Sequence, residues 1–241
     1  MELDILAIGS HPDDVELCCG GTLAKSVRLG HRVGILDLTE GELGTRGTRS
    51  IRAKEAAKAA KILGAVRENL GLPDGNIEVT QKNILKLTTV FRKYRPKFLL
   101  IPHFDERHPD HVHAHHLCKE AWFYSGLRKM KTTLRGKAQQ PWRPATFLHY
   151  MQWYEFVPSF IVDITDVYET RVASIKAHSS QFYDPQSKDP QTILSQQSFL
   201  DFIQARARNY GMKIGAMYGE PFYSVETVGI SNLFDLKMFR G

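Results

Sequence analysis

The stretch Ile8-Gly9-Ser10-His11-Pro12-Asp13-Asp14-Val15-Glu16-Leu17-Cys18-Cys19-Gly20-Gly21 decides how the rest of the chain is read. It begins as the end of an apolar run over residues 3–8 and leads, through two glycines, into a helix-like segment. A buried strand that ends in a histidine and two carboxylates, and then turns into a helix, puts polar groups at the carboxyl edge of a sheet. Open α/β folds place their ligands there. His11 and Asp14 can converge on one cation, which leaves Asp13 free to act on a water. Pro12 fixes its own φ and biases His11 toward an extended backbone. Taken alone, an Asp just before a helix is more often an N-cap, so a second set of ligands must lie further along the chain.

Working outward, apolar runs at 3–9, 33–38, 66–70 and 98–101 predict strands, and the segments between them predict helices. The first helix is expected over 22–29, with Gly30 just beyond its end. An Ala-rich helix follows over 51–63 and stops at Gly64. Ile84, Leu87, Phe91 and Tyr94 recur at helical spacing, and Pro96 closes that segment. Strands alternating with helices argue for an α/β fold with a mostly parallel sheet and right-handed crossovers. The loop Thr39-Glu40-Gly41-Glu42-Leu43-Gly44-Thr45-Arg46-Gly47 has glycines that permit close approach of a ligand.

The second ligand set stands directly after the strand at 98–101, in Asp105-Glu106-Arg107-His108-Pro109-Asp110-His111. In a parallel sheet both strand ends can face one crevice. His11, Asp14 and His111 then make a two-histidine, one-carboxylate set with positions open for water and substrate, which is what catalytic zinc needs. The same trio suits Fe(II). Asp13 can take a water proton, while His108 can stabilise an oxyanion with Asp110 orienting it or holding it charged. His113, His115 and His116 are left outside the site.

In the second half, residues 127–144 are polar, basic and poorly periodic, and read as a surface loop or an oligomer contact. Strands are expected at 146–150 and 160–164. Asp166 with Glu169 predicts a capping box for a helix over 167–177. A turn-rich excursion covers 182–190. The last helix is expected over 199–210 with Gly211 as its stop, and the tail from 217 returns to the body of the fold. The sequence shows neither an internal repeat nor a domain-scale linker, so one domain over 1–241 is expected.

Composition narrows the function classes. Hydrophobic residues make up 42% of 241, enough for a sizeable core, and no run approaches a membrane span. The start, MELDILAIGS, is acidic and leads straight into a strand, so it does not read as a secretory signal. Cys18, Cys19 and Cys118 form no disulfide framework, which fits a reducing cytoplasm. The formal charge of +6 gathers partly in two clusters, 46–52 and 128–143. Nucleic-acid binding lacks a motif or an aromatic-basic repeat. A small anionic substrate fits better, because Arg46, Arg49 and Arg52 lie in or beside the Gly-rich loop.

GSHPDDVELCCGGTLAK, DLTEGELGTRGT, RAKEAAKAAKILG and DERHPDH resemble the LmbE-like, or PIG-L, family of metal-dependent N-acetylglucosaminide deacetylases. Family members usually carry Ala where Ser10 stands. RENLGLPDG, the segment 125–129 and SQFYDP extend the resemblance toward the bacillithiol-biosynthesis branch. It implies a Rossmann-like fold, zinc (with Fe2+ as the alternative), His11, Asp14 and His111 as metal ligands, Asp13 as general base, and His108 supported by Asp110. It further implies hydrolysis of N-acetylglucosaminyl-L-malate to glucosaminyl-malate and acetate, by a cytoplasmic homo-oligomer, a trimer or hexamer as in relatives. The dicarboxylate would meet Arg46, Arg52 and Arg107, with Arg52 the first choice, and Asp74 in LPDG would join the substrate site. In some relatives a Tyr on the late helix approaches the substrate, and Phe199 stands there in this chain. The rivals are a deacetylase of another N-acetylglucosaminyl conjugate and a non-catalytic metal- or sugar-binding protein. A dinucleotide oxidoreductase is weakened by the lack of GxGxxG.

Overall fold

Side chains alternate across the strands so that both faces of the sheet are apolar. In β1 (Ile5–Gly9), Leu6 and Ile8 join one core and Ala7 the other. This is the pattern of strands covered by helices on both sides. The computed structural model describes residues 1–237. After β1 come α1 (Asp14–Arg28), β2 (Val33–Thr39), α2 (Arg49–Leu63), β3 (Val66–Leu72), α3 (Gln81–Tyr94), β4 (Phe98–Ile101) and α4 (Pro109–Ser125). A small hairpin, β5 (Thr133–Leu134) and β6 (Lys137–Ala138), leads to β7 (Thr146–Tyr150) and β8 (Phe160–Asp163). Then follow α5 (Tyr168–Lys176), α6 (Gln197–Met212) and β9 (Gly219–Tyr223).

The seven-stranded sheet runs β3-β2-β1-β4-β7-β9-β8. Its first five strands are parallel, and β9 pairs antiparallel with both β7 and β8. The α/β class with a mostly parallel, helix-flanked sheet is therefore as the sequence predicts. From β1 the chain winds outward through β2 to β3 and then returns to place β4 on the other side of β1. That reversal opens a crevice at the carboxyl ends of β1 and β4, where the two His-Pro loops emerge. Helices α3 and α4 cover one face through Leu87, Phe91, Leu117 and Ala121. Helices α1, α5 and α6 cover the other through Leu23, Ile175, Ile203 and Ala207.

Four expectations change. Helix α1 begins at Asp14 rather than near Thr22, and it is broken at Cys19 (φ −144°, ψ 15°) into two segments. Glu220 of β9 satisfies the N–H groups freed there, accepting from Gly21 N at 2.8 Å and Thr22 N at 2.6 Å. A Cβ on Gly21 would sit 2.9 Å from Glu220 Oε1, so this approach requires glycine. The sequence signal at Thr22 is thus the start of the second segment, capped from the far end of the chain. Second, Gly211 lies inside α6, which continues to Met212. Third, the capping box is absent: a 3-10 turn (Thr165–Val167) precedes α5, and Asp166 pairs with Lys25 and Arg28 of α1 instead. Fourth, the polar stretch at 127–144 contains the β5–β6 hairpin. The expected return of the tail is β9, inserted between β7 and β8.

Candidate active site

The two His-Pro loops bring His11, Asp14 and His111 together. One ligand atom from each lies within 4.8 Å of the others. His111 Nε2 is 3.4 Å from Asp14 Oδ1, and His11 Nδ1 is 3.6 Å from Asp14 Oδ2. Asp14 Oδ2 also accepts from the His11 N–H at 2.9 Å, which folds the turn back on itself. Burial opposes the charge on Asp14, but His111 and His11 outweigh it and hold the carboxyl well below its usual range. Two imidazoles and one ionised carboxylate are the donors a divalent cation of the zinc type takes. The residues therefore fit such an ion.

Asp13 occupies the N-cap position of α1 but makes no cap bond, so it is not an ordinary helix cap. Its backbone is held at φ 131°, a region that side chains other than glycine rarely adopt. Arg52 supplies the restraint: Nη2 donates to the Pro12 carbonyl at 2.8 Å and to Asp13 Oδ2 at 3.3 Å, and Nη1 donates to the Gly41 carbonyl at 2.8 Å. Gly41, at φ 67°, lets that guanidinium close in. Burial, partly offset by Arg52, pushes the Asp13 carboxyl up to about 6. Arg52 lines the cavity that holds the trio, and both of its terminal nitrogens are engaged inside the protein, where they brace Asp13.

In the second loop, ligand atoms of Asp110, His108 and His11 lie within 4.8 Å of one another. The Asp110 carboxylate accepts from Gly75 N at 2.8 Å and Ile77 N at 3.4 Å and lies 3.4 Å from His11 Nε2, so its hydrogen bonds go to the Gly75 turn and His11. His108 is the N-cap of α4: its Nδ1 accepts from the Asp110 N–H at 3.2 Å. That bond leaves a proton on Nε2. Burial, reinforced by His11 and His111, lowers the His108 pKa from its ordinary value, and the cap bond leaves Nε2 as the ring's donor. Asp74 also stands beside His11, with Oδ1 3.0 Å from His11 Nε2 and Oδ2 accepting from Leu43 N at 2.8 Å. Burial opposes the charge on His11, yet Asp110, Asp14 and Asp74 together raise its pKa well above the ordinary value. Ser10 donates to the Asp110 carbonyl at 3.2 Å and so ties one loop to the other.

The trio lies in a cavity of about 360 Å³. Arg46, Arg107 and Arg206 line it, as do Gln152, Trp153 and Phe199. Arg46 is buried, its carbonyl accepts from Gln181, and its guanidinium meets Ser187 and, at 3.8 Å, the exposed Asp189. Arg107 is exposed and lies over the Trp153 ring at 4.3 Å. Phe199 contributes a wall and no hydroxyl, with its ring stacked on Phe182. The sequence reading missed Gln152, Trp153 and Arg206. The signal available was position: Gln152 and Trp153 directly follow an apolar strand that is parallel to β4 and ends at the same edge.

Fold and site together define an α/β protein with a two-histidine, one-carboxylate cluster at the switch point of its sheet. The chain matches the family described as PIG-L, GlcNAc-PI de-N-acetylase, over residues 6–122, a span that includes both His-Pro loops. It is 30% identical over 233 residues to the diacetylchitobiose deacetylase of Thermococcus kodakarensis, covering 90% of this chain and 80% of that protein. Its fold matches the conserved protein TT1542 from Thermus thermophilus with a TM-score of 0.86 and 37% identity, over 96% of this chain and 98% of that one. It also matches N,N'-diacetylchitobiose deacetylase from Pyrococcus horikoshii, in complex with an inhibitor, with a TM-score of 0.77 and 29% identity, over 90% of this chain and 82% of that one. The chain belongs to the PIG-L/LmbE-like deacetylase family.

Proposed function

We propose that this protein hydrolyses the acetamide of an N-acetylglucosaminyl conjugate that carries an anionic aglycone. The specific substrate we propose is N-acetylglucosaminyl-L-malate, giving glucosaminyl-malate and acetate in bacillithiol biosynthesis. One observation carries the anionic preference: Arg46 and Arg107 line the same cavity as the His11–Asp14–His111 cluster. Arginine forks suit the paired oxygens of carboxylates. The relatives named above support the deacetylase chemistry.

His11, Asp14 and His111 would hold zinc, or Fe2+ in its place. The ion, when bound, supplies Lewis acidity toward water and toward a carbonyl oxygen. The chain's own residues do the rest. Asp13, with a pKa near 6, takes a proton from the attacking water at neutral pH. Arg52 holds that carboxylate at the cavity wall. His108, with its proton on Nε2, donates toward the oxygen that gains charge. The His108-Pro109 turn keeps the ring pointed inward through the cap bond to Asp110 N. We place this activity in a cytoplasmic homo-oligomer. Among the described residues no helix is long and apolar enough to cross a membrane.

A second reading has its own observation. The Trp153 ring in the cavity wall suits a second sugar ring, and two of the relatives act on diacetylchitobiose. Acetate release from the malate conjugate, diacetylchitobiose and free N-acetylglucosamine separates the two. On the malate conjugate, Arg46→Ala and Arg107→Ala should each lower kcat/KM about 10–100-fold, with a much smaller effect on free N-acetylglucosamine. Equal losses on all three substrates would leave the anionic reading without support.

A further inference from the structure

Gln152 stands two residues past β7, at the edge of the sheet that carries both His-Pro loops. The residue is 9% exposed. Among the described residues Oε1 is buried with no hydrogen-bond partner, and Nε2 lies 3.4 Å from His111 Nε2. That histidine nitrogen is also the one 3.4 Å from Asp14 Oδ1, so it points into the metal-ligand cluster. A nitrogen whose lone pair is given to a cation cannot also accept from Gln152. The amide would then be buried with both ends unpaired, which is unfavourable unless another group meets it.

The backbone that carries this side chain is unusually well held. The peptide unit joining Gln152 to Trp153 is gripped at both poles. Arg206 Nη1, from α6, donates to the Gln152 carbonyl. Glu106 Oε1, from the loop before α4, accepts from Trp153 N at 2.9 Å and from Tyr154 N at 3.3 Å. An acidic and a basic side chain from separate elements thus fix one peptide plane. Such support is what a group needs when it must meet a ligand atom to within a fraction of an ångström.

We propose that Gln152 is a further catalytic residue. Its Nε2–H donates a hydrogen bond to the acetamide carbonyl oxygen, on the open side of the His11–Asp14–His111 cluster, and the bond strengthens as that oxygen gains negative charge. The proposal rests on the deacetylase reading above. A group that only propped the His111 ring would show itself differently, because its loss would weaken metal binding.

The test compares wild type with Gln152→Met, which keeps the volume without polar atoms, and Gln152→Glu, which keeps the shape and loses the N–H donors. Each protein is loaded with zinc, its metal content is measured by elemental analysis, and acetate release is followed on the three substrates above. Both variants should keep the wild-type metal stoichiometry. On the acetamide that wild type turns over fastest, kcat should fall about 10²–10³-fold, the usual cost of losing one oxyanion donor. KM should move less than about threefold, since the bond is made mainly in the transition state. Turnover within about threefold of wild type in both variants overturns the proposal. Metal loss in step with activity overturns it too and makes Gln152 a support for His111. A wild type inert on every acetamide is a separate failure: it removes the deacetylase reading, and the Gln152 assignment with it, before any variant is made.

Discussion

The chain uses the pattern His-Pro-Asp-x twice, after adjacent parallel strands, and the two copies are built differently. In the second, His108-Pro109-Asp110-His111, the backbone is an ordinary helix start: His108 caps, proline sits in the first turn, and Asp110 accepts from two N–H groups of the Gly75 turn. In the first, His11-Pro12-Asp13-Asp14, the residue at the cap position caps nothing and stands at φ 131°. The fourth position of each copy, Asp14 or His111, reaches the ligand cluster. The third position is where they part. The relaxed copy folds its carboxylate into the frame. The strained copy leaves its carboxylate at the cavity, braced by Arg52. Backbone strain at Asp13 is consistent with the proposed role of its carboxylate as the base.

The sharpest way to break this comparison is at the fourth positions. Asp14→Ala and His111→Ala should each reduce bound metal and acetate release to background. Asp13→Ala should keep its metal and lose about 10²–10⁴ in turnover. Elemental analysis alongside turnover separates the two classes, and a metal-free Asp13→Ala protein would count against its role as a base.

Next in size is the brace. Arg52→Ala should lower kcat by about 10–100-fold, and by equal factors on the malate conjugate and on free N-acetylglucosamine, because the lost partners are Pro12, Asp13 and Gly41. Arg52→Lys should not restore it, since one ammonium cannot replace a fork that meets three acceptors. A loss confined to the malate conjugate would return Arg52 to substrate binding.

A third prediction concerns the wall behind the relaxed copy. His115 of α4 and His149 of β7 are buried side by side, with a nitrogen of each 3.1 Å apart. Burial, with the neighbouring His116 for one and His115 for the other, lowers their pKa values to about 4 and about 3. The folded state therefore binds fewer protons than the unfolded chain. Stability should be full above the unfolded value near 6.5 and fall as pH drops from there toward 4. Replacing His149 by Phe should flatten that slope, by on the order of 2 kcal/mol across the window. Denaturant midpoints taken along the pH range measure it.

The smallest effect is the strain itself. Asp13→Gly should be more stable than Asp13→Ala by roughly 1 kcal/mol, since only glycine adopts φ near 131° without cost. The matching pair at Asp110 should show the opposite order, with glycine the less stable. Urea unfolding of the four variants tests both halves of the comparison.

Much of this was legible in the sequence because the signals are local. The apolar runs at β1, β2 and β4 are continuous, and a His-Pro loop follows β1 directly and β4 after a short segment. That was enough to predict the parallel sheet and to single out His11, Asp14 and His111, the three residues that the fold brings together. What escaped depends on partners far along the chain. The contacts of Arg52 to Pro12 and Asp13 join two separate loops and leave no local signal in the sequence. Asp110 reads as the partner of His108 because they are neighbours, yet the carboxylate turns to Gly75, 35 residues earlier. Gln152 carries no motif at all, and its place is set by Arg206 and Glu106. The break at Cys19 was invisible for the same reason, since its cap comes from Glu220.

That cap has a consequence for the order of assembly. Gly21 and Glu220 are 199 positions apart, so a chain emerging from the ribosome carries the first helix long before its second segment can be capped. Contacts so distant in sequence form late, since the closure entropy comes before the reward. The loop carrying Asp13 and Asp14 opens this helix, so the edge that carries both His-Pro loops should acquire its final geometry only after β9 slots between β7 and β8. A nascent chain released before residue 219 would hold both His-Pro loops and most of the parallel sheet, with its first helix left unfinished.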